Sequence, residues 1–186
     1  MRKLIVFNHV TLDGYFVDAN GQFRWGYDGN DDPEYQAFVA ENASGDGALV
    51  FGRKTYELMA SYWPTAVADQ HSPAVAAGMN NMSKVVFSKT LNEATWKNTR
   101  LVKTGLIAEI RKMKSDSGPG MAILGSGSIV AQLARENLID EYQMMLDPVV
   151  LGRGRTMFEA LPEPLKLKLI RSRTFKNGKV YLCYTP

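Results

Sequence analysis

The chain has 186 residues, 45% of them hydrophobic and 22% charged, with a formal net charge of +3 at pH 7. These are ordinary globular values and set aside a disordered, collagen-like or disulfide-dense chain. A single cysteine, Cys183, excludes an internal disulfide, and two histidines, His9 and His71, leave no His/Cys cluster for a metal.

The length fits one domain over residues 1–186, large enough to bury a substantial core. No segment approaches the roughly 18 apolar residues of a membrane span. The N-terminal Leu4-Ile5-Val6-Phe7 is too short for a secretory signal, so a cytoplasmic protein without a membrane partner is expected. Basic residues are spread along the chain rather than gathered in a block, which argues against nucleic acid.

Residues 3–9 form a nearly continuous apolar run, as in a strand covered on both faces. The run ends in Thr11-Leu12-Asp13-Gly14-Tyr15-Phe16, which suits either a loop over a cleft or an ordinary turn. From Asp18 to Asp32 the chain is rich in Gly, Asn and Asp yet carries Phe23, Trp25 and Tyr27. Such aromatics suit a lid over an apolar ligand, or packing against the loop's own scaffold. Asp32-Pro33 predicts a helix start, with Asp as N-cap and Pro at the first helical position. Tyr35, Phe38 and Val39 then share a face to about residue 42.

The next strand, Gly47 to Phe51, feeds a helix opened by Gly52-Arg53-Lys54-Thr55, whose Tyr56, Met59, Ala60 and Trp63 recur at helical spacing. Two cations in a first turn oppose the helix dipole, a local conflict that a bound anion resolves; simple solvation is the alternative. Ser72-Pro73 starts a short helix, and Lys84 to Ser88 forms a strand leaving into Ser88-Lys89-Thr90, where a hydroxyl and an ammonium offer another anion contact. Thr99 to Lys103 reads as a strand. Thr104 reads as the cap of a helix with Leu106, Ile107, Ile110 and Met113 inward and Arg111, Lys112 and Lys114 solvated.

The stretch from Met121 to Leu133 reads as strand, turn and helix. Met121 to Leu124 suit a buried strand, Gly125-Ser126-Gly127-Ser128 break it, and Val130, Leu133 and Ala134 form a helix face. Unpaired N–H groups at such a helix start, with a glycine pair that admits a ligand closely, make an anion cradle; the plainer reading is a tight turn. Asp140 to Leu151 is strand-like and closes in Pro148-Val149-Val150-Leu151-Gly152-Arg153-Gly154. Leu165, Leu167 and Leu169 alternate with lysines, and Asn177-Gly178 predicts a type I′ turn that returns through Val180 to Tyr184. Alternating strands and helices followed by a hairpin predict an α/β fold: a mostly parallel central sheet flanked by helices, ending in an antiparallel hairpin.

Thr11-Leu12-Asp13-Gly14, Phe51-Gly52-Arg53-Lys54-Thr55, Phe87-Ser88-Lys89, Gly125-Ser126-Gly127-Ser128 and Pro148-Val149-Val150-Leu151-Gly152-Arg153-Gly154, in that order, resemble one family. It is the dihydrofolate reductase-like superfamily, closest to stand-alone proteins similar to the reductase domain of the riboflavin-biosynthesis deaminase-reductase. The resemblance spans almost the whole chain and implies an NADPH-dependent reductase. It places the adenosine 2′-phosphate against Arg53, Ser88 and Lys89. The pyrophosphate falls to the turns Gly52, Arg53, Lys54, Thr55 and Gly125, Ser126, Gly127, Ser128, Ile129. The nicotinamide lies near His9 to Leu12, beside Gly14 and Leu124.

Dihydrofolate reductases carry an acid on the first helix that protonates the pterin. Here the nearby acids are Asp31, Asp32 and Glu34, with Asp32 spent as an N-cap. Asp13 matches the family's loop aspartate, as a substrate-orienting or proton-relaying group or as a turn former. The catalytic candidates are therefore Asp13, Asp31 and Glu34. The H-x-E and P-C-x-x-C motifs of the deaminase half do not occur in this sequence. The expected activity is hydride transfer to a small pyrimidinone- or pterin-like substrate, with a non-catalytic nucleotide binder and a true dihydrofolate reductase as rivals. Apolar Tyr142, Met144, Met145, Leu146, Val149 and Val150, together with the resemblance, predict a homodimer on the C-terminal strands, unless helices of the same chain cover them.

Overall fold

The computed structural model describes residues 1–25 and 31–186. Tyr27 of the aromatic loop lies outside the described residues. In chain order the elements are β1 Leu4–Thr11, β2 Tyr15–Asp18, α1 Pro33–Ala43, β3 Ala48–Gly52, α2 Arg53–Tyr62, α3 Ala66–His71, α4 Pro73–Asn81 and β4 Ser83–Phe87. There follow β5 Thr99–Val102, α5 Leu106–Ser115, β6 Met121–Leu124, α6 Gly127–Arg135, β7 Glu141–Asp147, β8 Gly154–Thr156, β9 Lys168–Thr174 and β10 Val180–Thr185.

Eight strands form one sheet in the order β5-β4-β3-β6-β1-β7-β10-β9, and β2 pairs with β8 apart from it. The first six run parallel, while β10 is antiparallel to β7 and to β9. The predicted parallel sheet with a terminal hairpin is thus the observed one. Alternation along the central strands divides the interior. Leu4, Val6, Val50 and Ile123 pack with Ile110 and Met113 of α5 and with Val130 and Leu133 of α6. Leu49, Phe51 and Val86 face Tyr56 and Met79 on α2 and α4, while Met145, Tyr181 and Phe7 face Tyr35, Phe38 and Val39 on α1. Helices on both faces are why the inner strands read as nearly continuous apolar runs. Among the described residues no helix is long and apolar enough to cross a membrane.

Several local expectations change. The cap of α5 is Gly105, at φ +75°, and not Thr104; α5 starts from a left-handed residue without a side-chain cap. The Asn177-Gly178 hairpin is not type I′, because only Gly178 has positive φ. Gly178 N donates to Phe175 O and Phe175 N to Lys179 O, the pattern of a type I turn closed by a left-handed glycine bulge. Asn177 N donates to Asp32 Oδ2, so a tertiary contact selects the turn. Strand β7 stops at Asp147 because Pro148 lacks the next ladder N–H. Lys114 is buried rather than solvated, and its ammonium donates to Leu138 O and Asp140 Oδ2. Helix α3 and the β2–β8 pair lay outside the sequence reading.

The apolar surplus of β7 is also accounted for within the chain. Tyr142, Met144 and Met145 are core residues, packed under α1 or against the α5–α6 side. Of the other residues of the predicted contact surface, Leu146 and Val149 are half-buried and Val150 is 66% exposed.

Candidate functional site

Polar side chains and glycine-bearing turns gather at the C-terminal ends of β1, β3, β4, β6 and β7, the edge of an open parallel sheet where ligands bind. Two helix starts lie side by side there. Gly52 is the N-cap of α2 and Ser126 the N-cap of α6, and neither helix has a side-chain cap. First-turn N–H groups at both starts therefore lack intrahelical partners and carry the positive ends of two helix dipoles.

The two turns are locked together. Gly52 N donates to Ser126 Oγ at 2.7 Å, while Ser126 N and Ser126 Oγ both lie 3.1 Å from Thr55 Oγ1. From β1, Asn8 accepts Gly125 N at 2.6 Å and donates to Gly125 O at 3.3 Å. Gly125 and Ser126 both adopt left-handed backbone, at φ +58° and +60°. A Cβ on Gly127 would meet Met157 O at 3.1 Å and the Phe16 ring at 3.4 Å. This glycine makes room for the chain itself rather than for a ligand, which corrects the reading of the glycine pair as clearance for a phosphate. The N–H groups of Gly52, Gly125 and Ser126 are likewise consumed inside the protein. The first-turn N–H groups that remain are those of Arg53, Lys54, Gly127 and Ser128.

Arg53 leans from α2 toward the loop after β4. Its Nε donates to Glu57 at 2.8 Å and one terminal nitrogen to Thr90 Oγ1 at 2.8 Å. Ser88 Oγ accepts Thr90 N and Leu91 N, which ties down that loop, and Lys54 and Lys89 are exposed beside it. The sequence named the Ser88-Lys89-Thr90 stretch as an anion contact, and Thr90 is the member that meets Arg53; Asn8 it did not single out. Ile129 is buried under the α6 start, Leu124 half-buried at the end of β6, and Leu12 and Gly14 exposed at the end of β1.

The acids sort differently from expectation. Asp13 accepts Thr11 Oγ1 at 2.6 Å, Gly152 N at 2.7 Å and Leu151 N at 3.0 Å. The Thr11 hydroxyl, with those two backbone donors, holds its carboxyl below the usual range. Asp13 is an anchoring carboxylate between two loops. Asp32 caps α1 through Glu34 N and Tyr35 N, as its position before Pro33 predicted. Glu34 receives Arg173 through two nitrogens, at 2.7 and 3.1 Å, and Asp31 stands exposed at the helix start.

At the end of β1, His9 Nδ1 lies 2.8 Å from Asp147 Oδ2, and Lys179 Nζ donates to the other carboxylate oxygen. The His9 ring meets Phe7 and Phe23 edge-on, with centroids at 5.9 and 5.5 Å, and Phe23 continues to Trp25 at 5.3 Å. Part of the predicted aromatic lid therefore stands against β1. The signal for Asp147 was its inward place on β7, where Glu141 and Gln143 also break an apolar pattern.

Two adjacent uncapped helix starts flanked by a guanidinium fit the linked phosphates of a dinucleotide. The RibD C-terminal domain profile matches residues 2–181. The chain is 27% identical over 183 residues to YyaP of Bacillus subtilis (strain 168), covering 98% of this chain and 94% of that one. It is 26% identical over 176 residues to YwjB of the same strain, covering 94% and 92%; both proteins carry the description uncharacterized. Its structure is similar to that of a protein assigned to riboflavin biosynthesis in Shewanella sp. PV-4, at TM-score 0.69 and 24% identity over 98% of each chain. It is also similar to the Thermotoga maritima diaminohydroxyphosphoribosylaminopyrimidine deaminase/5-amino-6-(5-phosphoribosylamino)uracil reductase, at TM-score 0.66 and 13% identity, covering 100% of this chain and 56% of that one. With the profile spanning nearly every residue and the dihydrofolate reductase-like fold in place, the chain belongs to the RibD C-terminal domain family.

Proposed function

We propose that this protein is an NADPH-dependent reductase that delivers hydride to a C=N or C=O group of a small heterocycle of the pyrimidinone or pterin type. The observation that carries the reading is the pair of interlocked, uncapped helix starts beside Arg53. The first turns of α2 and α6 hold the linked phosphates through backbone N–H groups. Arg53, Lys54, Ser88 and Lys89 supply the charge and hydroxyl contacts for a 2′-phosphate. NADPH, when bound, supplies the hydride. The chain's own task is to hold two carbons about 3–3.5 Å apart and keep water away, with the ends of β1 and β6 as floor and Phe23 as part of the wall.

Folate reduction would rely on Asp31: Glu34 is committed to Arg173 and Asp32 to the α1 start and the β9–β10 turn, so neither is free to protonate a pterin, and Asp31, exposed at the helix start, is the candidate acid left beside them. Calorimetric titration with NADPH, followed by NADPH oxidation assays with pterins, pyrimidinones and quinones, tests the reading. Saturable binding with consumption supports it. Binding without consumption by any class makes the protein a nucleotide binder, and absence of binding removes the cofactor assignment.

A further inference from the structure

Hydride addition to C=O or C=N leaves charge on the heteroatom, and a proton must arrive there. Under the reductase reading above, three of the acids suggested by position are engaged, Asp13 with two loops, Asp32 as a cap and Glu34 with Arg173, while Asp31 stands exposed at the α1 start. A different group stands at the end of the central strand. We propose that His9 donates this proton, with Asp147 and Lys179 as its positioning residues.

The argument starts from burial. The Asp147 side chain is 0% exposed and that of Lys179 2%, whereas the His9 side chain is 15% exposed, so the imidazole is the member of the three that reaches solvent-accessible space. Its tautomer follows from its partner. Asp147 already accepts the Lys179 ammonium and, as a carboxylate, has only acceptors to offer, so His9 Nδ1 carries the hydrogen in their 2.8 Å contact. Nε2 has no hydrogen-bond partner among the described residues, and it is an acceptor in the neutral ring and a donor in the charged one.

The groups around the ring suit proton transfer. From β7 comes the Asp147 carboxylate and from the turn before β10 the Lys179 ammonium, which neutralises it, so His9 is oriented without facing a bare buried anion. From α1 comes Tyr35, whose phenol is held neutral by burial and by Asp147; its ring lies 5.4 Å from the Lys179 ammonium. Phe7 and Phe23 complete the surround with apolar edges. His9 sits on β1 between β6 and β7, on the edge that carries both phosphate-facing turns.

In the step, the hydride's electron pair forms the new C–H bond of the substrate while the π pair of C=O or C=N moves to the heteroatom. That atom forms a bond to the proton on Nε2, the Nε2–H bond breaks, and neutral imidazole remains, to be recharged from water. Substrates whose heteroatom gains a full charge depend on His9 most.

The test uses the whole protein with NADPH and three probes: 5-amino-6-(5-phosphoribosylamino)uracil, dihydrofolate and menadione. For the probe that wild type reduces, kcat falls on the alkaline side as one proton is lost. His9→Gln flattens that limb and lowers kcat by about 10²–10⁴-fold, while calorimetry shows NADPH binding unchanged. Added imidazole restores turnover to His9→Ala, which a merely structural role would not allow. The double variant Asp147→Asn, Lys179→Met, which leaves neither charge unpaired, shifts the alkaline limb. If His9→Gln fails to fold, His9→Asn, whose amide can still meet Asp147, takes its place. A folded His9 variant with wild-type kcat and an intact limb overturns the proposal, as does loss of turnover that imidazole never restores and that NADPH binding shares. Absence of NADPH consumption by wild type with all three probes is a separate failure; it overturns the reductase reading, and the proton donor with it.

Discussion

Thr55 and Gly125 occupy one another's only available space: a Cβ on Gly125 would lie 2.5 Å from Thr55 Oγ1 and 2.7 Å from its methyl carbon. The glycine also sits at φ +58°, where a side chain is strained. The start of α2 and the turn before α6 are therefore fitted to each other before any ligand arrives. Gly125→Ala is expected to cost at least about 2 kcal/mol of stability, read by urea unfolding, and to remove NADPH binding with it. Gly152 supplies the control. It has φ +73° and nothing within 4 Å of an added Cβ, so Gly152→Ala should cost only about 1 kcal/mol. Equal losses at the two positions would mean that the fit to Thr55 does not matter.

Arg53 is expected to set the preference for NADPH over NADH. It already spans α2 and the loop after β4 through Glu57 and Thr90, so a 2′-phosphate meets a side chain held in place at both edges. Arg53→Ala should weaken NADPH by about 1.5–3 kcal/mol and leave NADH nearly unaffected. Equal weakening of both in calorimetric titrations removes the 2′-phosphate assignment.

Asp13 joins the β1–β2 turn to the segment after Pro148. Asp13→Ala removes the acceptor for Leu151 N and Gly152 N, and hydrogen exchange at those two amides should accelerate while the core of β1 stays protected. Unchanged exchange at both would show that the loops hold without the carboxylate.

Lys84 gives the fold a pH dependence. Its side chain is 1% exposed, donates to Asn80 O, Met82 O and Lys97 O, and lies over the Trp96 ring at 4.4 Å. Burial, with Lys97 nearby, pulls its pKa down to about 8. Between that value and the ordinary lysine value the unfolded chain binds the extra proton, so stability from this group rises as pH increases through that window. Below it Lys84 is charged in both states, and its burial penalty is fully present. Lys84→Met should abolish this alkaline gain, on the order of 2 kcal/mol, in denaturation curves compared at pH 7 and pH 10. A variant that keeps the wild-type rise sinks the assignment.

Much of this architecture was legible because the relevant signals are local. The apolar runs of β1, β3 and β6 marked buried strands, and Asp32-Pro33 marked the α1 start to the residue. What escaped depends on contacts between distant residues. The turn at Asn177 is selected by Asp32, and the partner of His9 lies on another strand, with that partner's own cation in the turn before β10. Gly125 and Gly127 look like a ligand cradle in sequence, yet the space they leave is filled by Thr55, Met157 and Phe16. Apolar Met144 and Met145 look like an interface until α1, α5 and α6 are set against the sheet.

The place of β1 in the middle of the sheet also governs how the chain can be made. Both of its neighbours come late: Leu4 pairs with Met121 and Ile5 with Glu141. On the ribosome, Leu4 to Phe7 emerges well before its partners and must wait, unpaired, while β3, β4 and β5 are synthesised and free to associate among themselves. The β6 side of the seam can close once Met121 to Leu124 have left the exit tunnel, the β7 side only after Glu141 to Asp147 have, and until then the apolar run of β1 has no strand beside it.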